Sequence, residues 1–194
     1  MRVLVACEFS GIVRDAFAVH GHEAWSCDLL PSERPGNHFQ GTILDQQIIN
    51  RGWDLLIAHP DCTYLTVSAN AWAGEDWRIE ARLAAMHFVR SLWSFPVERV
   101  AIENPIGVLG TFWKRPTQII QPWQFGDDAS KNTCLWLRGL PQLEPTAVLC
   151  GDRGTRRANQ TASGQNRLGP SPTRKMERSR TYPGIAAAMA EQWG

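Results

Sequence analysis

Apolar positions in this chain fall into short runs separated by turn residues rather than into one long periodic stretch. Arg2 to Cys7 reads as a strand. Gly11 to Val19 reads as a helix with Ile12, Ala16, Phe17 and Val19 on its apolar face, ended by Gly21. Glu23 to Cys27 is a second strand closing at Asp28. Trp53 to Ala58, Val97 to Ile102 and Cys134 to Leu137 are three more, the first two flanking a helical stretch from about Asp76 to Trp93. Gly184 to Trp193 is a terminal helix, rich in alanine and apolar on most sides. Strands and helices that alternate through short loops predict an α/β fold around a mostly parallel, doubly wound sheet.

Composition narrows this to one domain spanning residues 1–194, because a chain of 194 residues with 43% hydrophobic content supports one sizeable core and not two. No segment approaches the ~20 apolar residues of a membrane helix, and Met1 to Val5 enters a strand pattern directly, so a cytoplasmic protein is expected. The five cysteines (7, 27, 62, 134 and 150) form no CxxC pair and are odd in number. That pattern predicts reduced thiols, with neither a disulfide framework nor a metal site. Cys7, Cys27 and Cys134 sit inside strand patterns and read as small core residues.

Charge is unevenly spread. Between Arg153 and Arg180 eight basic residues face the single acid Glu177, a local +7 in a chain of net +1, so the remainder carries −6. This loop-rich segment, about 151–181, has the makings of a phosphate-binding arm, with Arg156, Arg157, Arg178 and Arg180 as contacts. A solvated surface loop with no partner is the alternative.

Ligands of open α/β sheets bind outside the carboxyl ends of the strands. Cys62 follows the run Trp53 to Ala58 through His59-Pro60-Asp61, and Glu103-Asn104-Pro105 follows the run Val97 to Ile102. A thiol and a carboxylate are thus expected at that edge, equipment for adding to an electron-poor ring carbon beside a ring nitrogen. Phe9-Ser10-Gly11 lies in a strand-to-helix turn where backbone can approach a ligand. Asp28, at the end of the second strand, suits ribose hydroxyls, and Asp45 an adenine amino group; both are equally suited to capping turns or helices.

These residues in this order resemble the DNA cytosine-5 methyltransferases, especially the small members found in phages and prophages. The resemblance covers about residues 1–138, with a fainter match at Gly184-Ile185-Ala186. It implies a Rossmann-like S-adenosylmethionine-dependent methyltransferase fold, with Phe9, Ser10, Gly11, Asp28, Asp45 and Pro60 at the cofactor or a sulfonium analogue of it. It further implies Cys62 as the nucleophile, Glu103 as the acid at cytosine nitrogen 3, Asn104 as a loop-fixing residue, and Lys131 as a cation near phosphate or thiolate. Glu103 is expected to titrate high through burial, and Cys62 to titrate low.

The chain departs from the family in three places. Asp61 replaces the second proline of the Pro-Pro-Cys motif and sets a like charge beside the thiolate. Thr133 stands at the second arginine of the Gln-x-Arg-x-Arg motif and offers no guanidinium. Only Gly139 to Arg174 occupies the place of a recognition domain, which implies either DNA modification with little sequence demand or a single-stranded or small-nucleotide substrate, the basic segment favouring polynucleotide. Alternatives are another alkyl donor such as a carboxymethyl sulfonium, a free pyrimidine nucleotide as acceptor, or a non-catalytic nucleic-acid-binding protein on the same fold. Among nine tryptophans, Trp72, Trp113 and Trp123 are the candidates for base stacking.

Overall fold

Val3-Leu4-Val5-Ala6 and Leu55-Leu56-Ile57-Ala58 are apolar without interruption and wholly buried, which requires strands covered on both faces. The computed structural model describes residues 1–66, 75–151 and 154–194. In chain order the elements are β1 (Arg2–Ala6), α1 (Ile12–Val19), β2 (Glu23–Asp28), β3 (His38–Gln40), α2 (Gln46–Ile49) and β4 (Leu55–Ala58). There follow α3 (Asp76–Trp93), β5 (Arg99–Pro105), α4 (Leu109–Phe112), β6 (Gln118–Ile120), β7 (Thr133–Arg138), α5 (Arg174–Ser179) and α6 (Pro183–Trp193). Seven strands form one sheet in the order β3-β2-β1-β4-β5-β7-β6. Pairing is parallel from β3 through β5, while β7 runs antiparallel to both β5 and β6. The protein is therefore α/β with a mostly parallel, mixed sheet flanked by helices.

Strand periodicity assigns the two cores. Val3, Val5, Leu55, Ile57, Leu135 and Leu137 face α1 and α6, where they meet Val13, Phe17, Ile185, Met189 and Trp193. Leu4, Leu56, Val100, Ile102 and Trp136 face the other way, onto Met86, Val89 and Leu92 of α3. From β1 the chain moves outward through β2 to β3 and then crosses back to lay β4 on the other side of β1, so the direction of winding reverses between β1 and β4. The crevice outside the carboxyl ends of those two central strands is the switch point where such sheets take ligands. Among the described residues no helix is long and apolar enough to cross a membrane.

Several sequence expectations are corrected. Val19 is 85% exposed, and the buried side of α1 is Val13, Arg14 and Phe17. Val19 lies two residues beyond Phe17, roughly 200° around the helix, and so faces away from the sheet. Glu103 and Asn104 are not on a loop: β5 continues to Pro105, because β7 supplies ladder partners Leu135, Cys134 and Thr133 after β4 has ended at Ala58. Cys7 lies past the end of β1, half-buried with φ 57°, while Cys27 and Cys134 are buried in strands as expected. The basic segment is not all loop, since α5 gives it a turn and a half of helix.

Arg14 is the polar knot of the fold, 1% exposed in the interior. Nε and Nη2 engage Asp15, Nη1 donates to Ser26 Oγ (3.2 Å) and Ser32 Oγ (3.1 Å), and Nη2 donates to the carbonyls of Arg34 (3.4 Å) and Pro35 (3.0 Å). A Cβ at Gly11 (φ 70°) or Gly36 (φ 143°) would collide with this guanidinium, so both glycines make room for it. The amino end of α1 is closed by Glu8, 4% exposed, whose carboxylate accepts from Val13 N (2.7 Å) and Arg14 N (3.2 Å). Arg14→Met should strand these acceptors and lower stability by roughly 2–4 kcal/mol, read as a reduced urea midpoint at unchanged slope.

Candidate active site

Cys62 and Glu103 approach one another because β5 outruns β4. The β4 ladder ends with Ala58 opposite Ile102, so Glu103 stands one position beyond it, level with the segment from His59 to Cys62. Asn104 fastens that segment by donating from Nδ2 to the Pro60 carbonyl at 2.7 Å. Pro60 is buried, and Cys62 is half-buried. Lys131 comes from the β6–β7 connection, its Nζ 3.8 Å from Glu103 Oε1 and donating to the Arg178 carbonyl at 3.4 Å. On the opposite side of the carboxylate, His59 Nδ1 lies 3.3 Å from Glu103 Oε2. Thr133 is buried, its hydroxyl spent on the Lys131 carbonyl.

Three polar atoms here are buried without a hydrogen-bond partner: His59 Nε2, Glu103 Oε1 and Asn104 Oδ1. Such groups are ordinarily satisfied by protein, water or ligand, so a polar ligand at this strand edge would find hydrogen-bond partners.

The electrostatics run against expectation for Glu103. Burial pushes its carboxyl up, but the Lys131 ammonium and the His59 contact outweigh burial and hold it at about 2. It is therefore an ionised acceptor in the free protein. The Cys62 thiol, expected to titrate low, is instead raised, first by burial and then by the Glu103 and Asp61 carboxylates, with Lys131 opposing them. The resting thiol is thus protonated at neutral pH.

Asp61 has partners of its own. Its Oδ1 accepts from Thr63 N (2.9 Å) and Thr63 Oγ1 (2.6 Å), and its Oδ2 pairs with Lys175 Nζ at 2.8 Å. Farther along the same basic segment, Arg180 makes a double contact with Glu33, Nε to Oε2 at 3.0 Å and Nη2 to Oε1 at 2.6 Å. Residues 174–180 thereby cross from the Cys62 loop to the loop after β2.

The remaining sequence candidates are distributed as follows. Phe9 and Ser10 are buried in the β1–α1 turn. Asp28 ends β2, with Oδ1 accepting from Leu30 N at 2.9 Å. Asp45 is exposed and caps α2 by accepting from Gln47 N at 2.8 Å. Adjacent arginines part company: Arg156 is exposed, whereas Arg157 is 5% exposed, donates to the Cys150 carbonyl (3.2 Å) and lies 5.1 Å over the Trp123 ring. Arg157 is therefore held in the interior over Trp123, with Nε and Nη2 buried without hydrogen-bond partners among the described residues. Trp113 packs against Trp93 and Trp136, and Trp72 lies outside the described residues, as does Arg153. Arg178 is exposed. Sequence reasoning overlooked Glu8, Arg14, His59 and Lys175; only the placement of His59 directly before Pro60 carried a signal.

A depression lined by Met1, Trp53, Asp54, Glu98 and Arg99 lies at the opposite, amino ends of the strands, away from these groups.

Because the folded-state carboxyl of Glu103 is depressed, its stabilising contribution is present above the ordinary value of 4.5 and is lost as pH falls towards about 2. Glu103→Gln should remove up to roughly 3 kcal/mol of that acid-labile stability, and the curve of urea midpoint against pH should flatten in this window. Compared with known proteins, the chain matches no family model, and no curated protein is significantly similar to it.

Proposed function

We propose that the protein is a cytosine-5 alkyltransferase acting on DNA with little sequence demand, through a covalent adduct at Cys62. The observation that carries this reading is the Cys62 thiol set in the field of the Glu103 carboxylate at the carboxyl edge of β4 and β5, where His59 Nε2, Glu103 Oε1 and Asn104 Oδ1 are buried without hydrogen-bond partners among the described residues. A cytosine presents an amino donor and a ring-nitrogen acceptor along one edge. Those groups satisfy a carboxylate that hydrogen-bonds the amino group and, once protonated, the ring nitrogen.

Chemistry at the site follows from what each side chain does. Cys62 Sγ gives up its proton and adds to carbon 6, and the electron pair released makes carbon 5 nucleophilic. Glu103 keeps negative charge from accumulating at nitrogen 3, and Lys131 stabilises the thiolate. A bound sulfonium donor would supply the alkyl carbon that the activated carbon 5 takes up, with the donor sulfur as leaving group. Loss of the carbon 5 proton to a base then expels Cys62 as thiolate. The donor supplies an electrophilic carbon on a sulfonium sulfur.

Donor recognition is supported at the ribose end. Asp28 lies at the carboxyl end of β2 beside the switch point, with one carboxylate oxygen engaged by Leu30 N. The α1 amides at Val13 and Arg14 are already taken by Glu8, so they do not serve a ligand.

Incubation of DNA with the protein and S-adenosylmethionine should add one methyl mass per modified cytosine, and Cys62→Ser should abolish the product while donor affinity stays within about threefold. Activity retained by the serine variant would exclude covalent catalysis. No added mass on DNA, with mass added to a free pyrimidine nucleotide, would replace the acceptor. If Arg156 and Arg178 grip phosphates, DNA affinity should fall by roughly 0.7 to 0.9 log units per log unit of salt for each phosphate neutralised. Replacing both by alanine should flatten that slope. Arg157→Ala should instead lower thermal stability, since its guanidinium is buried.

A further inference from the structure

The basic segment reaches the nucleophile itself. Asp61, the residue next to Cys62, is a carboxylate set against a thiolate, and α5 brings Lys175 Nζ to 2.8 Å from its Oδ2. The pair is half-open to solvent, with Lys175 72% and Asp61 55% exposed at the side chain. The placement of Lys175 is nevertheless over-determined. The same segment is tied down at Lys131 through the Arg178 carbonyl and at Glu33 through both donor faces of Arg180.

We propose that Lys175 is a positioning residue for the nucleophile: held by Asp61, its ammonium neutralises that carboxylate and lets the Cys62 thiolate form against one fewer uncompensated negative charge. The inference rests on the reading of Cys62 as nucleophile. It gives the +7 segment a second task beside any phosphate contact, and it explains how an acid is tolerated at this position.

Among the described residues, the charged groups around the thiol are Asp61 on its own loop, Glu103 from β5, Lys131 from the β6–β7 connection and Lys175 from α5, with Tyr64 near Lys175 and Arg78 of α3 at the Thr63 carbonyl. Asp61 and Glu103 oppose thiolate formation, and Lys131 favours it. Lys175 holds Asp61 itself below the usual carboxylate range: burial pushes the carboxyl up, and the hydrogen bonds from Lys175 and Thr63 more than offset it. Asp61 is therefore ionised wherever the thiol titrates, so its charge has to be balanced rather than protonated away.

The test needs neither DNA nor donor. Folded protein is treated with iodoacetamide between about pH 6 and pH 10, a reaction in which thiolate sulfur displaces iodide, and the Cys62 peptide alone is quantified by mass spectrometry. Lys175→Gln should move the Cys62 inflection to higher pH and slow its alkylation near neutrality by roughly two- to fivefold, the range open to an exposed ion pair. Lys175→Arg should restore the native profile. In an Asp61→Asn background, where nothing holds the ammonium in place, Lys175→Gln should have a clearly smaller effect. An unmoved inflection in Lys175→Gln, or an equal shift in both backgrounds, overturns the proposal. Because thiol titration and product mass are separate readouts, DNA that gains no mass counts against the alkyltransferase reading alone, and a flat titration in an active enzyme counts against Lys175 alone.

Discussion

Much of this structure depends on burying one guanidinium. At 1% exposure Arg14 is tolerated only because its donors find Asp15, two serine hydroxyls and two backbone carbonyls. In meeting that requirement it ties α1 to β2 and to the loop holding Ser32, Arg34 and Pro35. The same loop carries Glu33, which clamps Arg180, and Arg180 ends the segment that delivers Lys175 to Asp61. A buried charge beneath the first helix is thereby linked, through successive polar contacts, to the environment of Cys62.

The candidate site itself is a contest between burial and neighbouring charge. Burial raises both Cys62 and Glu103, yet the two end on opposite sides of neutrality. Glu103 has Lys131 on one oxygen and His59 on the other, so it stays ionised. Cys62 is buried with the Glu103 and Asp61 carboxylates near it, which Lys131 opposes without outweighing, so it stays a thiol. A site arranged in this way keeps its thiol protonated while its carboxylate is ionised. A ligand that engages Glu103 and loosens its hold on Lys131 would leave that ammonium to favour the thiolate. The usual alternative source of thiolate stabilisation, a helix amino terminus, is closed at α1 by Glu8.

The apolar patterning by itself determined the α/β class, five of the seven strands, the long helix Asp76–Trp93 and the terminal helix, because runs of buried β-branched and aliphatic residues have few other solutions. It also determined that Cys62 and the Glu103-Asn104 pair lie at the carboxyl edge of the sheet. The three-residue strands β3 and β6 were illegible, since segments that short have no period and exist through the ladders their neighbours offer. Tertiary structure alone decided that β5 runs on to Pro105, because the antiparallel partner that extends it is nearly thirty residues away in sequence. It alone decided that Glu103 is ionised, because Lys131 and His59 reach it from separate elements. It alone sent Arg156 to the surface and Arg157 to the interior, a difference that two adjacent identical residues cannot express in sequence. Local pattern specifies which backbone forms; the charge state of a side chain depends on what long-range packing sets beside it.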